Sequence, residues 1–156
     1  MKSFLKKIYN MPVFMTVLWL FSALAKFSPS RHFTLYCMNV LGIIVSKIHS
    51  SSPKDSLEKI AGGWTEQMPK PKEKFPITYL SDTVAIGEIH VHCPLRGTGN
   101  LEACYTLMQF DRSIVERMGG KLIVIESQAS SQNDYCKVAI CKSKDDWDGL
   151  KSAWSK

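Results

Sequence analysis

Apolar residues fill two neighbouring stretches near the N-terminus, at residues 11–21 and 33–48. Between them, residues 28–31 (Ser-Pro-Ser-Arg) stop one helix and start the next. Each stretch is shorter than the roughly 20 residues that span a bilayer. The pattern predicts an apolar helical hairpin over residues 1–50 that packs on the rest of the protein or on a partner subunit.

Two alternatives stay open for residues 1–25. Lys2, Lys6 and Lys7 form a positive start, and Ala-Leu-Ala at residues 23–25 has the form of a signal-peptidase site. The segment could therefore be a cleaved secretory signal. The same lysines beside an apolar helix also suit an anchor that lies on a membrane surface.

A third helix is predicted after the hairpin, where Ser52 can act as N-cap and Pro53 suits the first helical position. Its apolar residues recur at helical spacing and form one face: Leu57, Ile60, Ala61, Trp64 and Met68. Three prolines between residues 69 and 76 end it and make a stiff linker. The sequence thus places a helix and a Pro-rich linker at residues 51–76, before an α/β unit at residues 77–156.

Strand-like alternation begins this second unit. Residues 77–93 are predicted to be extended, with a break near Ser81 and Asp82, and Pro94 ends the run. A glycine-rich loop follows, and Asn100 can cap the next helix. That helix is predicted from Leu101 to about Met118, where two glycines close it.

Two more strands are predicted at residues 121–128 and 134–142, joined by a short polar loop. A final short helix over residues 145–156 would carry Trp147 and Trp154. The order is β-α-β-β after the N-terminal helices. It predicts an α+β fold, with an antiparallel or mixed sheet and helices on one face.

One carboxylate lies inside the apolar arc of the helix predicted at residues 101–118. Asp111 falls near the middle of that arc, close in angle to Cys104. Because a buried unpaired carboxylate is costly, it needs a partner, a raised pKa or a cavity to face. It could be a structural residue bonded to backbone or to Arg96. We favour a site carboxylate, because inward-pointing ionisable groups concentrate at functional clefts.

Two histidines and a cysteine that could take part in catalysis lie at the end of the first predicted strand run. His90 and His92 are two residues apart on a strand and are expected to project to the same side. They could be half-exposed strand histidines, proton carriers, or part of a metal site if a third ligand converges. Cys93 precedes a glycine-rich loop and a helix N-terminus, which would lower its thiol pKa as a nucleophile needs. The alternative is a small buried residue.

Composition and charge narrow the class of protein. The chain has 156 residues, of which 45% are hydrophobic, and a net charge of +6. No basic helix interleaved with aromatic residues is present, so we expect no nucleic-acid partner. Five cysteines without a CxxC pair predict free thiols in a reducing compartment, and hence a cytoplasmic protein. Membrane association through residues 1–50 stays open, and the sequence identifies no cofactor and no metal ligand set.

The order of several short motifs resembles a known family. These motifs are His92-Cys93-Pro94, Cys104, Phe110-Asp111-Arg112, Gly120, Ser127-Gln128 and Asp134-Tyr135-Cys136-Lys137-Val138. Over residues 88–141 the chain is similar to the L-2-amino-thiazoline-4-carboxylic acid hydrolase family, whose members also carry a helical N-terminal part. The resemblance implies hydrolytic opening of a cyclic C–N bond in a small sulfur heterocycle. It points to Cys93, Cys104, Asp111 and Cys136 as site residues.

Together these observations predict a small hydrolase whose pocket lies between the Asp111 helix and the sheet, with the helical hairpin as lid or dimer surface. Cys93 would be the nucleophile or a polarising thiol, and Cys93→Ala would abolish turnover. His92 or His90 would carry the proton, and Asp111 would orient that base or hold a cationic amidine. The predicted substrate-binding residues are Arg96, Cys104, Gln128 and Cys136.

A non-catalytic protein is the alternative. In that case the same cysteines and histidines would bind a small molecule or a metal, and the apolar hairpin would report binding to a partner or to the membrane. The sequence leaves the choice between hydrolase and sensor open, together with the oligomeric state.

Overall fold

The computed structural model of the chain describes residues 9–131, 133–143, 146 and 149–154. Its α-helices are α1 (Met11–Ala25), α2 (Arg31–Ile48), α3 (Leu57–Gln67), α4 (Leu101–Leu107) and α5 (Gln109–Arg117). Its strands are β1 (Ile77–Leu80), β2 (Val84–Ile89), β3 (Lys121–Glu126) and β4 (Cys136–Cys141). The predicted α+β fold, with N-terminal helices before a sheet, is confirmed.

The predicted helical hairpin consists of α1, α2 and the turn between them. Asn10 caps α1 by accepting a hydrogen bond from the amide of Val13 at 3.1 Å, and Pro12 occupies the first turn. Residues 26–30 make the turn, which contains a short 3-10 helix. In the part of the chain that the structure describes, no helix combines the length and the apolar character needed to cross a membrane.

Helix α3 begins four residues later than the sequence indicates. Ser56, and not Ser52, is the N-cap, and it accepts a hydrogen bond from the amide of Lys59. The preceding residues are held away from a helical path because the amide of Lys54 donates to the carbonyl of Met118 at 2.9 Å. The predicted apolar face is confirmed, since its members are all buried: Leu57, Ile60, Ala61, Trp64 and Met68.

The sheet has the strand order β1-β2-β4-β3, and each neighbouring pair is antiparallel. The predicted break in the first run is real, because residues 81–83 turn between β1 and β2. The predicted end of this run is wrong, because β2 stops at Ile89 and not at residue 93. The amides of Glu88 and His90 bond to the carbonyls of Pro76 and Lys74, in the same register as the β1–β2 pairing, whereas pairing with β4 ends at Ile89.

The helix predicted at residues 101–118 is divided into α4 and α5 at Met108. Asn100 caps α4 as expected, accepting from the amide of Ala103 at 3.0 Å. Gly119, with a φ of +88°, closes α5 as expected. The predicted C-terminal helix is not seen in the described residues 149–154, and Trp147 lies outside the part of the chain that the structure describes.

One hydrophobic core joins the N-terminal helices to the α/β unit. It contains residues of α2, α3, α5, β3 and β4, and the apolar side chains of α1 pack against it. Helix α2 lies across α5, where Ser113 donates to the side-chain oxygen of Asn39 at 2.6 Å. Gly42 permits this close crossing, because the backbone of Phe110 leaves no room for a Cβ. The hairpin is therefore part of the folded unit that builds the site.

Gly42→Ala is expected to lower the free energy of unfolding by about 1–3 kcal/mol. A Cβ at this position would lie 2.6 Å from the carbonyl oxygen of Phe110 and 2.8 Å from Cβ of Ser113. Gly62→Ala in α3 is the matched control, because its Cβ would meet nothing within 4 Å. It should raise stability by about 0.5–1 kcal/mol. Urea unfolding measures both changes, and two equal effects would contradict the tight α2–α5 crossing.

Candidate functional site

A cavity of about 190 Å³ lies between the helical hairpin, α4, α5 and the residues that follow β2. Most of its wall is apolar: Val13, Phe14, Val17, Leu18, Met38, Leu41, Val45, Phe75, Ile89, Val91, Leu107, Met108 and Phe110. The remaining wall carries the groups with chemistry, namely Tyr9, Cys93, Cys104, Asp111, Gln128 and Cys136. Five of these six are site residues that the sequence predicts. The predicted pocket between the Asp111 helix and the sheet therefore exists.

Asp111 is held in the wall by a residue distant in sequence. Its Oδ1 accepts a hydrogen bond of 2.9 Å from Nε1 of Trp64, and both side chains are buried. The indole ring of Trp64 packs against β2 at Gly87, which has no side chain. A Cβ at Gly87 would lie 2.8 Å from this ring. Its own backbone amide also stabilises the carboxylate, in part as expected for a structural aspartate, whereas Arg96, the other expected partner, pairs with Asp134.

Burial makes the Asp111 carboxyl a weak acid. Removal from water raises its pKa to about 6, and the hydrogen bond from Trp64 and the charge of Arg112 offset only part of this effect. The phenol of Tyr9 lines the same cavity, and its buried oxygen has no hydrogen-bond partner among the residues that the structure describes. Burial and the nearby charge of Asp111 raise the pKa of Tyr9, so the phenol stays protonated. The cavity thus offers a hydrogen-bond donor and an ionisable acceptor.

Three thiols from separate parts of the chain line the cavity. Burial raises the pKa of Cys93 to about 11 and that of Cys136 to about 12, and it also raises the pKa of Cys104. The amide of Leu95 does donate to Sγ of Cys93 at 3.5 Å, as the sequence leads us to expect, but desolvation outweighs it. The expected lowering of the Cys93 pKa is therefore wrong.

Cys104 and Cys136 face the interior, as their positions in the helical and strand patterns predict. Sγ of Cys104 lies 3.1 Å from Oγ of Ser127, and Sγ of Cys136 accepts from the amide of Gln128 at 3.4 Å. All five cysteines lie in the described part of the chain and are thiols without a disulfide, as predicted.

Gln128 lines the cavity, and its side chain also holds the backbone of residues 91–93. Its Oε1 accepts from the amide of Cys93 at 3.1 Å, and its Nε2 donates to the carbonyl of Val91 at 2.8 Å. The side chain therefore replaces a neighbouring strand for residues 91–93. The backbone carbonyl of Gln128 also accepts from the amide of Gly97, which secures the glycine-rich loop. This clamp sets the position of Cys93 in the wall.

The histidines and Arg96 do not line the cavity. Because β2 ends at Ile89, the two imidazoles do not share a strand face as predicted. Nε2 of His90 lies 2.7 Å from a carboxylate oxygen of Glu88, whereas the ring of His92 stacks on Trp19 with centroids 6.3 Å apart. Arg96 forms an ion pair with Asp134 at the surface. The structure thus gives none of them contact with the cavity, in contrast to their expected roles.

Among the described residues, no group of three or more His, Cys, Asp or Glu side chains is arranged to hold a metal ion. The polar groups of the cavity wall can form hydrogen bonds, and Asp111 can also exchange a proton. Sequence reasoning missed Tyr9 as a wall residue, and it assigned Trp64 to the core alone. The signal for Trp64 was available, since a buried indole N–H needs an acceptor and Asp111 needs a donor.

Comparison with known proteins gives no match: no protein-family model, no curated protein and no solved structure is similar to this chain. The geometry described above is therefore the basis for any functional assignment, and the family resemblance over residues 88–141 stays a prediction.

Asp111→Asn is expected to remove a pH dependence of stability. The carboxyl pKa is 3.8 in the unfolded chain and about 6 in the folded one, so the folded state holds this proton more tightly. The protonated Asp111 carboxyl contributes roughly 3 kcal/mol to the free energy of unfolding. This contribution is complete below about pH 4 and is lost as the pH rises through 6. The variant keeps Oδ1 for Trp64 but cannot ionise, so it should be the more stable protein at neutral pH.

Urea unfolding at a series of pH values measures this difference. Asp82→Asn, in the exposed β1–β2 turn, is the matched control that removes a carboxyl far from the cavity. A pH dependence that is the same in the parent protein and in Asp111→Asn would show that Asp111 does not ionise in a buried site.

Proposed function

We propose that this protein binds a small, mainly apolar molecule in the cavity under the helical hairpin, and that Asp111 receives a basic or hydrogen-bond-donating group of that molecule. The observation that carries the proposal is a buried carboxylate in the wall of an apolar cavity, whose side-chain donor among the described residues is the indole of Trp64. A protein gains nothing in stability from such a group at neutral pH. A ligand that donates a hydrogen bond to the Asp111 carboxylate would offset the cost of its burial.

The size of the cavity limits the ligand. Its volume of about 190 Å³ exceeds the roughly 150 Å³ of an engineered apolar cavity that takes benzene. A single ring with a small substituent therefore fits, and a long chain or a nucleotide does not. The ring would contact the apolar wall and the three thiols, whose soft sulfur atoms suit aromatic or sulfur-containing rings.

The polar groups limit the charge of the ligand. None of the described residues that line the cavity is Lys or Arg, so a ligand carboxylate would lack a cationic partner there. Asp111 above its pKa offers a negative charge, and an amidine can donate to it through two N–H groups. The heterocycle implied by the family resemblance contains a cyclic amidine and also a carboxylate, so the two lines agree on the amidine and disagree on the carboxylate.

Three rings of nearly equal shape test this preference: benzamidine, benzamide and benzoate, which are cationic, neutral and anionic. Titration calorimetry near pH 8 should show benzamidine binding about tenfold to a hundredfold more tightly than benzamide, as a charge-assisted hydrogen bond implies. Benzoate should bind most weakly. Asp111→Asn should remove the preference for benzamidine, whereas Asp82→Asn should keep it. Equal affinity for the three rings, or no binding of any, would refute the proposal.

Hydrolysis of the bound ring is the second candidate function. Its support is the Asp111 carboxyl with a pKa of about 6, a value suited to proton transfer near neutral pH. In this reaction Asp111 takes a proton from water as the water oxygen bonds to the carbon of the protonated amidine, which gives a neutral tetrahedral intermediate. Asp111 returns that proton to the ring nitrogen, and the cyclic C–N bond breaks as the hydroxyl oxygen forms the carbonyl. The hydroxyl proton passes through Asp111 to the amine that is released. Cys93, with its raised thiol pKa, is not needed in this route.

The hydrolase hypothesis is tested with 2-aminothiazoline, which carries the cyclic amidine without a carboxylate. Turnover should increase with pH through about 6, because the base must be ionised, and Asp111→Asn should abolish it. Cys93→Ala should retain turnover, in contrast to the loss expected from the sequence. Loss of turnover in a folded Cys93→Ala would restore the thiol as nucleophile. Absence of turnover in a parent protein that binds benzamidine would leave ligand binding as the function.

A cytoplasmic location belongs to the same proposal. Its support is that the five cysteines form no disulfide, a state which a reducing compartment maintains.

A further inference from the structure

Large apolar side chains are exposed along the helical hairpin. The described part of the chain exposes ten large hydrophobic residues, and seven of them belong to the hairpin: Val13, Trp19, Leu20, Phe27, Phe33, Tyr36 and Ile44. Phe27, Phe33 and Tyr36 are more than 60% exposed. Isolated exposed apolar residues are normal, but this concentration on one supersecondary unit indicates an interaction surface.

The same part of the chain carries the entire net charge. Residues 1–50 contain six of the 20 Lys and Arg residues and none of the 14 Asp and Glu residues. The remainder of the protein is therefore neutral overall, and the net charge of +6 belongs to the hairpin and the residues before it. Arg31 is paired with Glu102, whereas Lys26 in the turn and Lys47 near the end of α2 are exposed.

We propose that the helical hairpin attaches the protein to an anionic lipid surface. The hairpin would lie in the plane of the interface, with Phe27 and Phe33 at the acyl boundary and Trp19 and Tyr36 at headgroup level. Lys26 would lie beside lipid phosphates. Exposed aromatic residues next to unpaired positive charge are the two components of such attachment. This inference is independent of what occupies the cavity.

Charge distinguishes lipid from the other obvious occupant of this surface, a second copy of the chain. A symmetric dimer brings the same face of two molecules together. Here it would oppose two surfaces that each carry only positive formal charge in residues 1–50, without an acidic side chain of that segment to pair with them. An anionic membrane supplies the opposite charge and an apolar layer at once.

Vesicle flotation of the full chain tests the proposal. The vesicles contain equal parts of phosphatidylcholine and phosphatidylglycerol, and vesicles of phosphatidylcholine alone are the comparison. The double variant Phe27→Ser with Phe33→Ser should reduce binding about tenfold or more. The control is Tyr79→Ser with Leu80→Ser, which removes an apolar pair of similar exposure on β1, and should bind as the parent does.

A second pair of variants tests the charge. Lys26→Glu should reduce binding to the anionic vesicles about tenfold, while Lys151→Glu makes the same charge change at an exposed position outside the hairpin and should have little effect. Circular dichroism checks that each variant is folded. Absence of parent binding to anionic vesicles, or equal binding to neutral ones, overturns the proposal. So does a dimer of the parent in solution that the Phe27→Ser and Phe33→Ser variant dissociates without any vesicle binding.

Discussion

The hydrogen bond between Trp64 and Asp111 is the constraint around which the site is arranged. It joins α3 to α5 through 47 positions of sequence, and it requires Gly87 on β2 so that the indole can lie against the sheet. Loss of water outweighs the hydrogen bonds from Trp64 and from the backbone and the charge of Arg112, so the pKa of this carboxyl is raised. The fold therefore maintains a group whose ionisation is unfavourable. We therefore interpret the Asp111 carboxylate as an acceptor for a proton or a hydrogen bond from a ligand.

The helical hairpin completes the site and connects it to the surface. Without α1 and α2 the cavity would be an open groove between α4, α5 and the ends of the central strands β2 and β4, because one side of its apolar wall comes from these helices. Val17 and Leu18 of α1 face the cavity, while the neighbouring Trp19 and Leu20 are exposed. One helix thus has an inner apolar side and an outer apolar side. This explains why its sequence lacks the polar stripe of an ordinary surface helix.

The sequence allowed much of the site to be predicted, because local periodicity places side chains relative to one core. Asp111, Cys104 and Cys136 faced inward on their helical and strand patterns, and all three line the cavity. The histidines were misplaced because strand-like alternation continues past Ile89. Beyond this point a distant side chain replaces strand pairing, because Gln128 bonds to the carbonyl of Val91 and to the amide of Cys93. The partner of Asp111 was missed for the same reason, since periodicity contains no information about pairs on separate elements.

Cys93 shows how burial and local geometry compete. The loop supplies the amide donor that a thiolate needs, yet desolvation dominates and the thiol stays protonated at neutral pH. Asp111 is thus the ionisable group on which the account depends. The most direct test is a carbon-13 NMR titration of its carboxyl carbon, assigned by comparison with Asp111→Asn. The account predicts a midpoint near pH 6 in the folded protein. A midpoint at or below 3.8, the value for an unburied aspartate, would contradict it.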